Sequence, residues 1–406
     1  MTTASIPTHS SAPARPAAFR ALLALAIGSF GIGMTEFVVM GLLPDIARDL
    51  SPALWTADSE AAIGQAGWLI TLYAAGVVVG APTIAGAVAK YPRHRVMVVL
   101  ALALTLFNAL TLVLPTFELV AASRFLAGLP HGAYFGIGAL VAADVLGPGK
   151  RAKGVAFVLT GLTIANVVGV PLGTYLGQLF GWRIAFLLVA VIFAAATAAI
   201  ALWVPHHKGE PSRTLRAELR VFRIGQVWFA LGVGAIGFGG FFAVYSYVAT
   251  LVTEAAGSPE WVVPVVLVLA GLGMTAGNLV GGHLADLDLR RSLLGGLAAL
   301  IVVQVLLAVM SGWIIAVAVL VFAVGFCSSA LSPTIQTRLM DVAGDNQSIA
   351  AALNHSALNA GNALGAALGG AVIAGGLGYV APVWVGATLA AGGLVVAGIS
   401  LAVERR

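Results

Sequence analysis

The sequence predicts an all-α membrane protein of twelve transmembrane helices arranged as two six-helix pseudo-repeat bundles. Three observations predict it. Of the 406 residues 60% are hydrophobic and only 9% charged, and the mean hydropathy is +1.01. Apolar stretches long enough to cross a bilayer recur twelve times. The second half of the chain echoes the first at a nearly fixed offset.

A soluble domain carries roughly 25% charged residues. A chain with 9% cannot clothe a water-facing surface of this size, so most of its surface faces lipid. The 50 glycines suit close helix contact, because helices in lipid gain no hydrophobic drive from touching one another. The single cysteine, Cys327, sits in an apolar run and reads as a small buried hydrophobe; there is no disulfide framework.

Residues 1–19, rich in Ser, Thr, Pro and Ala, read as a disordered cytoplasmic tail. The apolar run that follows is too long for a signal-peptide core and lacks a cleavage site, so it is the first span. Spans of the roughly 20 residues a bilayer requires are expected at 20–43, 63–87, 96–114, 117–143, 154–179, 183–204, 224–253, 261–285, 292–311, 313–337, 348–376 and 379–402. The basic segment 205–223 falls after six spans and reads as a cytoplasmic linker. It separates an N-terminal bundle, 20–204, from a C-terminal bundle, 224–403.

With these spans, 18 of the 21 Lys and Arg residues gather on the side of the termini and two, Arg48 and Arg183, on the other; Arg124 falls inside a span. The positive-inside rule then places both termini in the cytoplasm of a multi-pass inner-membrane protein. The same bias accounts for the basic pI of 9.6, so no nucleic-acid partner is implied.

An offset of 196 lays Gly86–Arg95 on Gly282–Arg291, and Asn166, Gly169, Leu172 and Gly173 on Asn362, Gly365, Leu368 and Gly369. An offset of 197 lays Phe125, Gly128 and Asp144 on Phe322, Gly325 and Asp341. Duplicated halves that rock about a midplane site are a common carrier architecture.

Four stretches resemble the major facilitator superfamily. They are Thr35–Leu50 in span one, Arg124–Gly132 in span four, the Gly161, Gly169, Pro171, Gly173, Gly177 series in span five, and Gly282–Arg291 between spans eight and nine. Within that family the chain is most similar to the twelve-helix drug/proton antiporters of the sugar, arabinose and nucleoside efflux subgroup, over about residues 20–402. The resemblance implies the major facilitator fold, a bacterial inner membrane and a monomer. It also implies export driven by the proton-motive force, with no other cofactor. It assigns conformational roles to Gly86, Arg93 and Arg95, to Gly169, Pro171 and Gly173, and to Gly282, Asp286, Arg290 and Arg291. Two departures stand out. Lys90 replaces the acid of the loop after span two, which leaves a salt-bridge latch of the family's kind to Asp286 in the second half. Val170 separates Gly169 from Pro171.

Two charges lie inside predicted spans, Glu36 and Arg124, both about 10–15 Å below the same membrane boundary at 1.5 Å rise per residue. Burying a charge in a bilayer costs at least ~2.5–3.5 kcal/mol, so such residues face polar cavities and partners. Similar depth permits an ion pair that either locks two helices or controls a proton on Glu36. Arg124, Gly128, His131 and Phe135 share one helix face. His131 is placed to shuttle protons or to bond a neighbouring helix as a neutral ring. In span eleven His355, Asn359 and Asn362 share a face and suit either a hydroxyl-rich ligand or interhelical bonds. Trp68, Tyr134, Tyr245 and Tyr247 are aromatic contacts for substrate, for packing or for the membrane interface. Arg124 maps onto Val321 in the second half, so proton coupling is expected in the first half and neutral substrate contacts in the second.

No P-loop, zinc, haem or redox spacing occurs, and no nucleophile–base set points to an enzyme. The expected activity is proton-antiport export of a sugar, nucleoside or drug. Uptake by symport, a membrane-embedded enzyme and a channel are the alternatives.

Overall fold

The computed structural model describes residues 15–88, 91–147, 151–206, 223–343 and 347–404. It contains twelve helices long and apolar enough to cross a membrane. Spans one to six are Pro16–Gly41, Ser59–Ile84, Arg93–Val113, Phe117–Leu146, Lys153–Phe180 and Arg183–Trp203. Spans seven to twelve are Gly225–Tyr245, Val262–Leu287, Leu289–Val309, Ile314–Ala343, Leu353–Ala374 and Ala381–Glu404. Each expected stretch meets one of these helices. In lipid the helix satisfies its own backbone groups, which is why uninterrupted apolar runs resolve as spans.

The ends are set locally. Thr116 caps span four by accepting from the Leu119 amide, and Gly147 stops it with φ 79°. Gly181 ends span five with φ 92°. The Asp288 side chain accepts from the Arg291 amide at 3.0 Å, so span nine starts one residue after span eight stops.

Among the boundaries that depart from expectation, three lie at spans one and seven. The first helix begins at Arg15, inside the expected 1–19 tail, whose remaining residues lie outside the described ones. Span one ends at Gly41, and a separate helix, Leu43–Leu50, follows it. Span seven stops at Tyr245, and the chain continues through a turn at Ser246–Tyr247 into a short wide-turn segment, Leu251–Ala255. Most of the expected linker 205–223 is outside the described residues.

The six helices of each half pack mainly on one another, and the repeat is visible in their closest contacts. A Cβ on Gly76 would collide with the Phe125 carbonyl oxygen, and one on Gly80 with that of Leu129. At an offset of 197, Gly273 meets Phe322 and Gly277 meets Phe326 in the same way. Spans two and four, and spans eight and ten, therefore touch backbone to backbone, a contact open only to glycine.

The halves meet along a seam. Span two packs on span eleven where Gly64 faces Gly370, and span five packs on span eight where Gly271 faces Asn166. At the end opposite the termini the seam is further joined by Ser59 and Tyr379, whose hydroxyls lie 3.3 Å apart.

Two substitutions on span four test this packing. Gly128→Ala aims a methyl at the Tyr73 carbonyl, whereas Gly136→Ala meets nothing within 4 Å. Thermal unfolding in detergent should show Gly128→Ala destabilised by about 1–3 kcal/mol. Gly136→Ala should be neutral or stabilised by up to ~1 kcal/mol.

Candidate functional site

Arg124 is the most demanding residue in the molecule, with 1% of its surface exposed in the first third of span four. Its guanidinium donates to the Thr35 hydroxyl at 2.8 Å and to the Thr35 carbonyl at 2.7 Å. The Thr35 hydroxyl in turn donates to Asn108 Oδ1 at 2.5 Å, and Asn108 Nδ2 donates to the Leu104 carbonyl at 2.8 Å. The Tyr73 ring lies 4.2 Å from the guanidinium carbon and Phe186 5.4 Å from it. Desolvated cation–π contacts of this kind contribute about 2 kcal/mol. The cation is thus held by spans one, two, three and six.

The ion pair with Glu36 that similar depth permits is not made. No carboxylate oxygen lies within 4.0 Å of Arg124 among the described residues. The physical reason is local. Thr35 precedes Glu36 on the same helix, and successive helical positions point about 100° apart. With Thr35 turned toward Arg124, Glu36 turns toward the other half. There Asn362 Nδ2 of span eleven donates to Glu36 Oε1 at 3.1 Å. Glu36 is 7% exposed and Asn362 fully buried. Span one ends five residues beyond Glu36, so the carboxylate lies about 8 Å inside the span rather than 10–15 Å.

Aromatic rings flank this bond. Phe37 stacks on Phe242 at 6.4 Å and meets Tyr245 edge-on at 5.8 Å, both across the seam. The Tyr245 hydroxyl is buried without a hydrogen-bond partner among the described residues. His131 Nδ1 lies 3.0 Å from the Tyr73 hydroxyl, the interhelical contact expected of a neutral ring. Phe135 stacks parallel to His355 across the seam at 5.4 Å. Asn359 Nδ2 donates to the His355 carbonyl at 3.1 Å, while Oδ1 of both Asn359 and Asn362 is buried and has no partner among the described residues. Glu36, Phe37, Phe135, Tyr245, His355 and Asn362 thus meet across the seam, with Asn359 one turn from Asn362. Arg124 and His131 stand behind them in the first half.

Other candidates fall elsewhere. Trp68 is 51% exposed on the outer face of span two, apart from the site's ring contacts. The Tyr134 hydroxyl donates to the Leu25 carbonyl at 3.1 Å and its ring fills the space over Gly28, which makes it a pin between spans one and four. Tyr247 likewise donates to the Ala366 carbonyl at 2.6 Å.

The latch residues also sort differently from expectation. The first half has an ion pair after all, between Arg93 and Asp144, joining the start of span three to the end of span four; Lys90 lies outside the described residues. Arg95 is exposed, and Gly86 lies in the last turn of its helix. In the second half Asp286 is exposed and makes none of the ion pairs among the described residues. Glu404 at the end of span twelve takes both Arg290, at 3.2 Å, and Arg338, at 3.0 Å. Arg291 pairs with Asp288 at 3.2 Å, and Gly282 borders open space. In span five the helix widens into a π-turn over Ala165–Gly169 just before Pro171. The wider turn accommodates a residue that has no N–H and whose ring crowds the preceding turn. Gly169 packs on Phe30 and Met34, and Gly173 on Met34 and Val38.

Thr35, Phe37, Tyr73, Asn108 and Phe242 belong to the site and were not singled out from sequence. Asn108, an amide in the middle of an apolar span, carried the clearest signal.

Two duplicated six-helix bundles with a buried carboxylate on the seam between them define a membrane carrier. The model of the Major Facilitator Superfamily matches residues 25–287 and 260–406. The chain is 38% identical over 381 residues to the inner membrane transport protein YdhP of Escherichia coli K12, covering 94% of each. It is 34% identical over 362 residues to the putative transporter AraJ of the same organism, covering 89% of each. It is 31% identical over 380 residues to a chloramphenicol resistance protein of Streptomyces lividans, covering 93% of this chain and 95% of that one. In fold it superposes on the human organic anion transporter MFSD10 (TETRAN) with a TM-score of 0.68 at 15% identity, covering 94% of this chain and 99% of that one. The chain belongs to the Major Facilitator Superfamily and is one of its transporters, with efflux-type relatives.

Thr35→Val tests the hold on Arg124. It keeps the shape, leaves the carbonyl contact and removes the hydroxyl that both accepts from Arg124 and donates to Asn108. Thermal unfolding should show a loss of about 1–3 kcal/mol, the cost of an unsatisfied buried partner. Thr35→Ser, which keeps the hydroxyl, should lose less.

Proposed function

We propose that this transporter exports a small sugar, nucleoside or drug in exchange for protons, by alternating access about the seam. The observation that carries the reading is Glu36, a buried carboxylate whose hydrogen bond comes from the opposite half. A titrating group on the surface that must part can tie its proton to the conformation. A substrate that uses Asn362 as a partner displaces the bond to Glu36, and a proton on Glu36 removes the charge that strengthens it. Proton and substrate then exclude one another, which is the simplest basis for antiport.

One inward proton gains ~2.3 kcal/mol per 100 mV, equivalent to about a fifty-fold substrate gradient. One titrating site is therefore sufficient for useful export. The amide oxygens of Asn359 and Asn362, unpartnered among the described residues, together with the Phe135, Phe37 and Tyr245 rings at the seam, favour a neutral ligand with hydrogen-bond donors and an apolar body. The chloramphenicol resistance protein among the relatives supports drug export. The bias of Lys and Arg toward the end of the termini supports a cytoplasmic location for that end.

Proton movement in inside-out vesicles, followed with a pH-sensitive dye across a panel of sugars, nucleosides and amphenicol drugs, tests the proposal. An exported compound should drive protons out of the vesicles with the native chain and not with Glu36→Gln. Proton flow in the opposite sense would establish symport. Transport without a proton signal, or an active Glu36→Gln, would remove Glu36 from coupling.

A further inference from the structure

The end of the seam opposite the termini carries a second set of titratable groups that the central site does not use. Asp45 and Arg48 lie on the helix Leu43–Leu50 that follows span one. Glu260 comes from the other half, just before span eight. The Arg48 guanidinium is 3.8 Å from Asp45 Oδ1 and 3.8 Å from Glu260 Oε1, so one cation serves carboxylates of both halves. Gln178 of span five bridges the same seam by donating to the Glu260 carbonyl at 3.0 Å.

The other charged groups around Asp45 are few. On its own helix Asp49 is engaged by Arg183 and by Trp182 Nε1, the latter at 2.9 Å. Burial pushes the Asp49 carboxyl up, but these donors outweigh it and hold the group below its usual range. Among the described residues, the ionisable side chains that the second half contributes to the lining of the cleft are two carboxyls, Glu254 and Glu260. Arg48 and Glu260 leave about half of their side chains exposed, at 52% and 55%, whereas Asp45 leaves 23%. Solvent therefore blunts the attraction of Arg48. Desolvation, then the charge of Glu260, push the Asp45 carboxyl up to about 6 against the pull of Arg48.

We propose that Asp45 is a proton-operated seal: protonated, it leaves Arg48 to Glu260 and lets the halves close at this end, and ionised, it opposes closure across the seam. When the halves part, Asp45 loses both its burial and Glu260 and returns toward an ordinary carboxylate. Closure thus binds a proton. Its contribution is full below the ordinary carboxylate range and is lost as pH rises through about 6. With the termini in the cytoplasm, this end meets the acidic side of an energised membrane and closes when protons are abundant there. The seal does not depend on the direction of transport or on Glu36.

The test uses the full chain in lipid nanodiscs without substrate, carrying Cys327→Ser and Glu36→Gln so that neither the native thiol nor Glu36 contributes. Spin labels at Thr56→Cys and Leu377→Cys, exposed positions at this end of the two halves, report their separation. Lowering the pH from about 7.5 to about 5 should raise the ratio of short to long distances about tenfold. Asp45→Asn should hold short distances throughout, and Glu260→Gln should move the midpoint to lower pH. Distances that ignore pH in the starting chain, or an Asp45→Asn chain that titrates like it, would overturn the proposal. Failure of proton-coupled export in vesicles would leave this distance titration untouched.

Discussion

A guanidinium buried in an apolar bundle must be surrounded by acceptors and π-faces, or the bundle does not assemble. Arg124 meets that demand at both terminal nitrogens through Thr35 of span one, itself held by Asn108 of span three, and through the Tyr73 ring of span two, while its Nε is left without a partner among the described residues. The rest of the site follows from it. Thr35 cannot face Arg124 without its neighbour Glu36 facing elsewhere, and the remaining direction is the second half. The Arg124 network thus fixes the face of span one, and that face delivers a carboxylate to Asn362 and an aromatic ring to Phe242 and Tyr245. A direct Glu36–Arg124 pair would instead have kept both charges inside one half.

Glycine sets the frame around this network. Gly76, Gly80 and Gly128 bring spans two and four into backbone contact, which places Tyr73 over Arg124 and within reach of His131. The second half repeats the contact through Gly273 and Gly277 but has no cation beside it, because Val321 stands where the first half has Arg124. The two bundles share packing and differ in charge. The first carries a polar column from Arg124 to His131, and the second offers Asn359 and Asn362 as neutral groups.

Much of this was legible in the sequence. Twelve apolar runs became twelve spans, since a lipid-facing helix has no local competitor. The repeat offset, read from scattered matches such as Phe125 with Phe322, reappears as paired helix contacts. Glu36, Arg124 and Asn362 were found because polar groups in apolar runs are conspicuous. Partner choice was less accessible. Glu36 and Arg124 lie at similar depth, and only the rotation of span one decides whether they meet. Trp68 and Tyr134 show the same limit, since an aromatic residue in a span has the same signature whether it faces lipid, a neighbouring helix or the seam. Asp286 and Glu404 illustrate another: the acid that takes Arg290 sits 114 residues away, beyond any local motif.

The central claim is that Glu36 bonds across the seam while Arg124 is held within the first half. A double-mutant cycle in thermal unfolding, combining Glu36→Leu with Asn362→Leu and separately with Arg124→Met, tests it most directly. The account predicts a coupling of about 1.5–3 kcal/mol between Glu36 and Asn362, as for a hydrogen bond to a charged group, and a smaller one between Glu36 and Arg124. Strong coupling to Arg124 with none to Asn362 would contradict it.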